Sequence, residues 1–159
     1  MKTTLVNPHR SSLGMDANVA VLVAALVTVI LGWVSYLGWI AWAVPLVFFF
    51  LEKESPFVKR QMVQLLCLAI VRAVVMIIVQ IFVWAFAPAT FIGGAFALLS
   101  GGLVLLFLLW VISGLIGLAL SLLAIYIVFM AYGWKQVELP VFWPMVEKVQ
   151  SILDGFRTR

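Results

Sequence analysis

Charge is what this chain has least of. Only 10% of its 159 residues are Asp, Glu, Lys or Arg, and 66% are hydrophobic. Soluble domains run at about 25% charged and about 45–50% apolar. A soluble domain is therefore excluded, and an integral membrane protein is expected. Cysteine is nearly absent as well. Cys67 stands alone, which rules out an internal disulfide and a cysteine-based metal site. Its apolar flanks read as inert packing. His9 is the single histidine, so no cluster of metal-ligand type can form around paired imidazoles. No Asp or Glu lies in a long apolar run, whereas Ser35, Ser100, Ser113 and Ser121 do, so no Ser/His/Asp set is expected. Gly93-Gly94 and Gly101-Gly102 lack the lysine of a phosphate-binding loop. No catalytic residue, cofactor or metal is expected, and the chain reads as a non-enzyme. Glu52, Glu54, Glu138 and Glu147 read as solvated anchors beside apolar segments.

What the chain does have is long apolar runs. Residues 1–17 are polar and mixed, with Asn7-Pro8 as a helix breaker and Ser12 or Asp16 as a candidate N-cap. The basic start (Lys2, Arg10) is followed by no small-residue cleavage site, so the first run is expected to be retained. Residues 18–51 carry no charge. One straight helix over that run would be about 50 Å long at 1.5 Å per residue, against a hydrocarbon core of about 30 Å. Either it tilts strongly or it folds back. Gly32, Ser35 and Gly38, set among Trp33, Tyr36 and Trp39, favour a hairpin. Pro45 is expected to kink the second arm.

The stretch Leu51–Gln64 follows and holds Glu52, Lys53, Glu54, Lys59 and Arg60. Ser55-Pro56 ends one helix and starts the next. Residues 61–87 form the second apolar unit, closed by an uncharged loop from Ala87 through Pro88 to Gly94. Residues 95–133 form the third, broken near Ser100-Gly101-Gly102, with its main helix from about Leu103 to Tyr132. Ser113, Gly117 and Ser121 recur every four residues and offer a small face for helix packing, either within the monomer or in a dimer. Beyond Gly133, residues 134–159 are polar. Met145, Val149, Ile152, Leu153 and Phe156 mark an amphipathic helix that lies in the headgroup plane or docks on the other helices' ends. The expected fold is an all-α membrane protein: a short N-terminal helical hairpin, two long transmembrane helices and a C-terminal amphipathic helix.

The net charge of +4 does not point to nucleic acid, because the basic residues flank apolar segments. Lys and Arg at 2, 10, 53, 59, 60, 135, 148, 157 and 159 mark cytoplasmic segments, and the loop 87–94 has none. Both termini are expected in the cytoplasm, with the chain in the inner membrane. That assignment requires an even number of crossings before Glu52, which the hairpin supplies. Membrane lipids are the expected partners, together with another membrane protein or a second copy of this chain.

Arg72 is the one charge inside an apolar run. An Arg at the bilayer centre costs roughly 2.5–3.5 kcal/mol on insertion scales. Gln61 shares its helix face, with Gln64 and Gln80 flanking. One reading is a polar seam lining a path. The other is an arginine that snorkels to the surface or binds a carbonyl freed near Pro45.

Three pieces carry a family resemblance: Ser12 to Ala20, Leu51 to Gln64, and Ala131 to Pro140. In order along the chain, they resemble small bacterial multi-pass membrane proteins of a domain family without an agreed function. That family is distantly similar to the import component of the chloroplast inner envelope. The most specific part is the central loop Glu52, Lys53, Pro56, Phe57, Val58 and Lys59. The family pattern usually continues Phe-Val-basic-x-His-x-x-Gln, and Gln61 stands where the His is usual. The small-residue face and the C-terminal amphipathic helix point to a small non-enzymatic membrane subunit acting by helix–helix or lipid contacts. The alternative is an oligomeric transporter or channel with a polar seam at Gln61 and Arg72. The plant relatives' part in a protein-conducting translocon is what the resemblance adds to that alternative. The resemblance transfers no catalytic residue.

Overall fold

The computed structural model describes residues 2–34, 37–92, 102–139 and 142–157. The chain is mostly helical, with five helices among these residues. They are α1 (Ala17–Trp33), α2 (Ala43–Leu51), α3 (Pro56–Ile92), α4 (Gly102–Tyr132) and α5 (Trp143–Arg157). Two short strands, β1 (Lys2–Leu5) and β2 (Lys135–Glu138), pair antiparallel, with Thr3 opposite Val137 and Thr4 opposite Gln136. The polar N-terminal segment is thus partly a strand. Its run Thr3-Thr4-Leu5-Val6 is rich in β-branched residues, which suit a pleated edge.

The first apolar run folds back. It is broken into α1, a single 3-10 turn at Leu37–Trp39, and α2. Its two ends meet, because the Ser12 hydroxyl donates to the Leu51 carbonyl at 3.4 Å and accepts the Lys53 N–H at 2.9 Å. A single tilted helix cannot do this. At the reversal, a Cβ on Gly38 would stand 3.2 Å from the Gly32 carbonyl oxygen, a tight contact, so the turn favours glycine there. Pro45 does not kink α2. It is the third residue of that helix, in the first turn, where backbone N–H groups have no intrahelical acceptor to lose. Asp16 occupies the N-cap position of α1 but makes no side-chain cap bond.

α3 starts at Pro56 and runs on through Pro88 to Ile92, so residues 87–92 are helix where the sequence suggests a loop. A proline removes only one helical hydrogen bond, and the apolar sequence continues beyond it. Residues 93–94 and the break at Ser100-Gly101 lie outside the described residues. α3 and α4 are both long and apolar enough to cross a membrane. At 37 residues α3 spans about 55 Å, well beyond a hydrocarbon core.

Burial explains the excess length. The described residues fall into two units, one of residues 1–70 with 121–159, the other of residues 71–120. In the first, Phe57, Val58 and every residue from Gln61 to Leu68 are buried. A helix with one face in a core buries only every third or fourth residue, so this part of α3 is enclosed on all sides. α1 presents Ala17, Ala20, Val21, Ala24, Ala25, Thr28 and Gly32, a small-residue face that permits close approach. In the second unit the pattern reverses. Trp84 and Trp110 are each 72% exposed, and Ile81, Phe107 and Leu115 are exposed too.

Candidate functional site

Ser11, Ser12, Glu54 and Ser55 of the first unit converge on Glu52. The residue leaves α2 with extended backbone (φ −76°, ψ 122°) while its N–H still bonds to the Phe48 carbonyl at 3.0 Å. This turns the side chain back into the protein, where it is fully buried. The carboxylate accepts the Ser11 hydroxyl and the backbone N–H groups of Ser12 (3.1 Å), Glu54 (3.0 Å) and Ser55 (2.9 Å). Burial by itself raises a carboxyl pKa. Here the hydrogen bonds from Ser11, Ser55, Ser12 and Glu54 more than offset it, and the group is held down at about 2. Glu52 is therefore no solvated anchor but the buried centre of a knot. Its charge survives burial because four donors from two chain segments replace water.

Ser55 caps α3. Its hydroxyl oxygen accepts the Val58 N–H at 3.2 Å, and Pro56 takes the first helical position, where no N–H is missed. The same oxygen lies 2.6 Å from His9 Nε2. His9 Nδ1 donates to the Asn7 carbonyl at 2.9 Å, so in the neutral ring Nε2 is the acceptor and Ser55 the donor. The His9 ring sits 5.6 Å from Trp134 and 6.3 Å from Phe57, and those two rings are 6.1 Å apart. His9 is thus half-buried and fully engaged, not free in solvent. A serine–histidine pair oriented by a third group has the form of an activated nucleophile. Ser55 is 1% exposed and its oxygen already caps a helix, so the pair acts as a clasp.

Trp134 completes the clasp at a conformational cost. It follows Gly133 with φ +57°, the left-handed region that bulky side chains avoid. Its carbonyl accepts the Val6 N–H at 2.9 Å, and its own N–H bonds to Ala131 at 3.0 Å. The conformation ends α4 and turns the chain into β2. Nearby, Gln64 Nε2 donates to the Val137 carbonyl at 2.8 Å, tying α3 to that strand. Lys59 donates to the Lys53 carbonyl at 2.9 Å, and the Arg60 guanidinium stands 5.6 Å over the Trp143 ring at the start of α5.

The sequence-derived candidates are distributed unevenly. Of the loop residues, Glu52, Phe57 and Val58 are buried, whereas Lys53 and Pro56 are exposed. Of the polar seam, Gln61 and Gln64 are buried in the first unit. Arg72 and Gln80 belong to the second, where Gln80 is exposed. Arg72 lies against Gly117. A Cβ there would stand 3.8 Å from its guanidinium carbon. Ser113 bonds back to the Trp110 carbonyl at 2.9 Å, and Ser121 accepts the Trp33 indole N–H at 3.2 Å. The small residues of α4 thus serve three different neighbours. Among the described residues no group of three His, Cys, Asp or Glu side chains converges as a metal site. Cys67 is buried and forms no disulfide.

His9, Ser11 and Trp134 are site residues to which the sequence assigns no role, and Ser12, expected as a candidate N-cap, bonds instead to Glu52, Leu51 and Lys53. One signal was available: Glu52 precedes Ser55-Pro56 by three residues, which places a carboxylate beside unpaired N–H groups at a helix start. No family model, curated protein or solved structure matches the chain.

Proposed function

We propose that the chain is a small, non-enzymatic integral membrane protein, a subunit or accessory factor that acts through helix–helix or lipid contacts. The observation that carries this reading is the contrast along α3. Residues 61–68 are sealed inside protein, while Trp84, Ile81 and their neighbours face outward. Residues 71–92 form a stretch of about 33 Å, close to the thickness of a hydrocarbon core. The outward aromatic and aliphatic side chains between Val74 and Trp84 fit lipid tails or a partner helix. The knot supports a common side for residues 2–16, 52–60 and 133–139, since all three are hydrogen-bonded together. Their basic residues favour the cytoplasmic face of the inner membrane. The resemblance to the bacterial family related to the chloroplast import component agrees with a role in a larger assembly. Native mass spectrometry of the protein extracted with its lipids tests the reading. A defined homo-oligomer or a stoichiometric membrane partner is expected, and a bare monomer in every extraction contradicts it.

A second reading is an oligomeric transporter or channel, translocon-like in kind. It is favoured by Arg72, a charge kept in the long apolar part of α3 and given room by Gly117. Flux through proteoliposomes should then fall sharply for Arg72→Leu; unchanged flux removes this reading.

A further inference from the structure

The enclosed turns of α3 carry polar groups that the surrounding protein does not answer. Gln61 is fully buried, and neither its Nε2 nor its Oε1 has a hydrogen-bond partner among the described residues. Gln64, three residues on, is 1% exposed. Its Nε2 donates to the Val137 carbonyl, while its Oε1 has no partner among the described residues. The neighbours three and four residues away include Phe57, Val58, Leu65, Cys67 and Leu68, all buried, and none of them bonds the Gln61 amide or the Gln64 oxygen. On β2, Gln136 is buried with its Nε2 in the same condition.

Folded proteins pair roughly 90% or more of their buried polar groups, with protein atoms or with ordered water. Gln61 cannot reach bulk solvent from a helix enclosed on all sides. Residues three apart on a helix are surface neighbours, with Cβ atoms about 5–6 Å apart. That separation lets one small molecule bond both amides. The unanswered groups also select its class. Gln61 offers N–H donors and an acceptor oxygen, and Gln64 offers an acceptor oxygen. An anion would face the two carbonyl oxygens, and a cation would face the N–H groups. A neutral molecule that both donates and accepts satisfies the set, and water is the smallest such molecule. Buried waters typically make about three hydrogen bonds to polar groups of this kind.

We propose that Gln61 and Gln64 build an internal water-binding site within the enclosed turns of α3, beside the bond that ties this helix to β2. The site accounts for two glutamines in a stretch that hydropathy alone would keep dry. It also gives the Gln64–Val137 contact a hydrogen-bonded support on its other side.

The test uses the full chain in lipid nanodiscs. Solid-state NMR transfers polarisation from water protons to the side-chain amide nitrogens. Strong transfer to Gln61 is expected, with weaker transfer to Gln64 when Gln61→Leu removes the bridge. The same variant should lower the melting temperature by several degrees, because it leaves the Gln64 oxygen unanswered. Absence of transfer to Gln61 in the unaltered protein overturns the proposal. So does a rise in melting temperature for Gln61→Leu, which would mean that the amide was buried bare and that its removal relieved the chain. If Gln61→Leu does not fold, the measurement on the unaltered protein decides alone.

Discussion

The carboxylate of Glu52 accepts the hydroxyl of Ser11, forty-one residues earlier in the chain. Between them lie all of α1 and α2. This one bond joins the two ends of the first apolar hairpin, and the Ser12, Glu54 and Ser55 N–H groups share the same acceptor. Glu52→Ala should therefore unfold the first unit's polar end by leaving several buried donors unpaired. A loss of about 3 kcal/mol or more is expected in denaturant unfolding in detergent. Glu52→Gln keeps an acceptor oxygen and should lose less.

The same carboxylate makes stability depend on acid. Its folded pKa of about 2 lies below the ordinary 4.5, so the folded state favours the charged form. The contribution is fully present above pH 4.5 and declines as pH falls from there through about 2. A shift of that size corresponds to about 3 kcal/mol. Thermal unfolding followed across this window should show the decline, and Glu52→Gln should flatten it.

Trp134 separates backbone strain from ring packing. Glycine adopts φ +57° without strain, whereas alanine does not. Both substitutions lose the stacking on His9 and Phe57. Trp134→Gly should thus be destabilised less than Trp134→Ala, by about 1 kcal/mol, in the same unfolding measurement. Equal losses would mean that the left-handed backbone carries no strain.

Gly117 sets the room for Arg72. A methyl there would touch the guanidinium at 3.8 Å, an ordinary contact distance, so Gly117→Ala should be close to neutral. Gly117→Leu must displace the guanidinium and should cost about 1–3 kcal/mol. Arg72→Leu in the same background should recover part of that loss, as a double-mutant cycle would reveal.

The hairpin and the long helices are legible in the sequence. They depend on hydropathy and on Gly32 and Gly38, which are local or additive signals. The role of Glu52 is not legible in that way. Its flanking Lys53 and Glu54 are exposed, and only Ser11 and Ser12, brought in from far along the chain, turn its environment from water to protein. The strand pair escapes notice for a related reason. Lys2–Leu5 and Lys135–Glu138, four residues each and far apart in the chain, carry no periodicity until they meet. Pro45 and Pro88 show the limit of a residue-type rule. One falls in the first turn of a helix and the other is passed through, and neither position can be fixed without the helix boundaries.

The central claim is that the N-terminal segment, the loop after α2 and the segment after α4 form one polar head on one side of a membrane. Cysteine accessibility in sealed, oriented membrane vesicles tests it most directly, with Cys67 replaced by alanine. Thr4→Cys, Glu54→Cys and Lys148→Cys should react with an impermeant thiol reagent from the cytoplasmic side only, and Gly94→Cys from the opposite side only. Reaction of Thr4→Cys and Glu54→Cys from opposite sides, or of all four from both sides, would contradict the account.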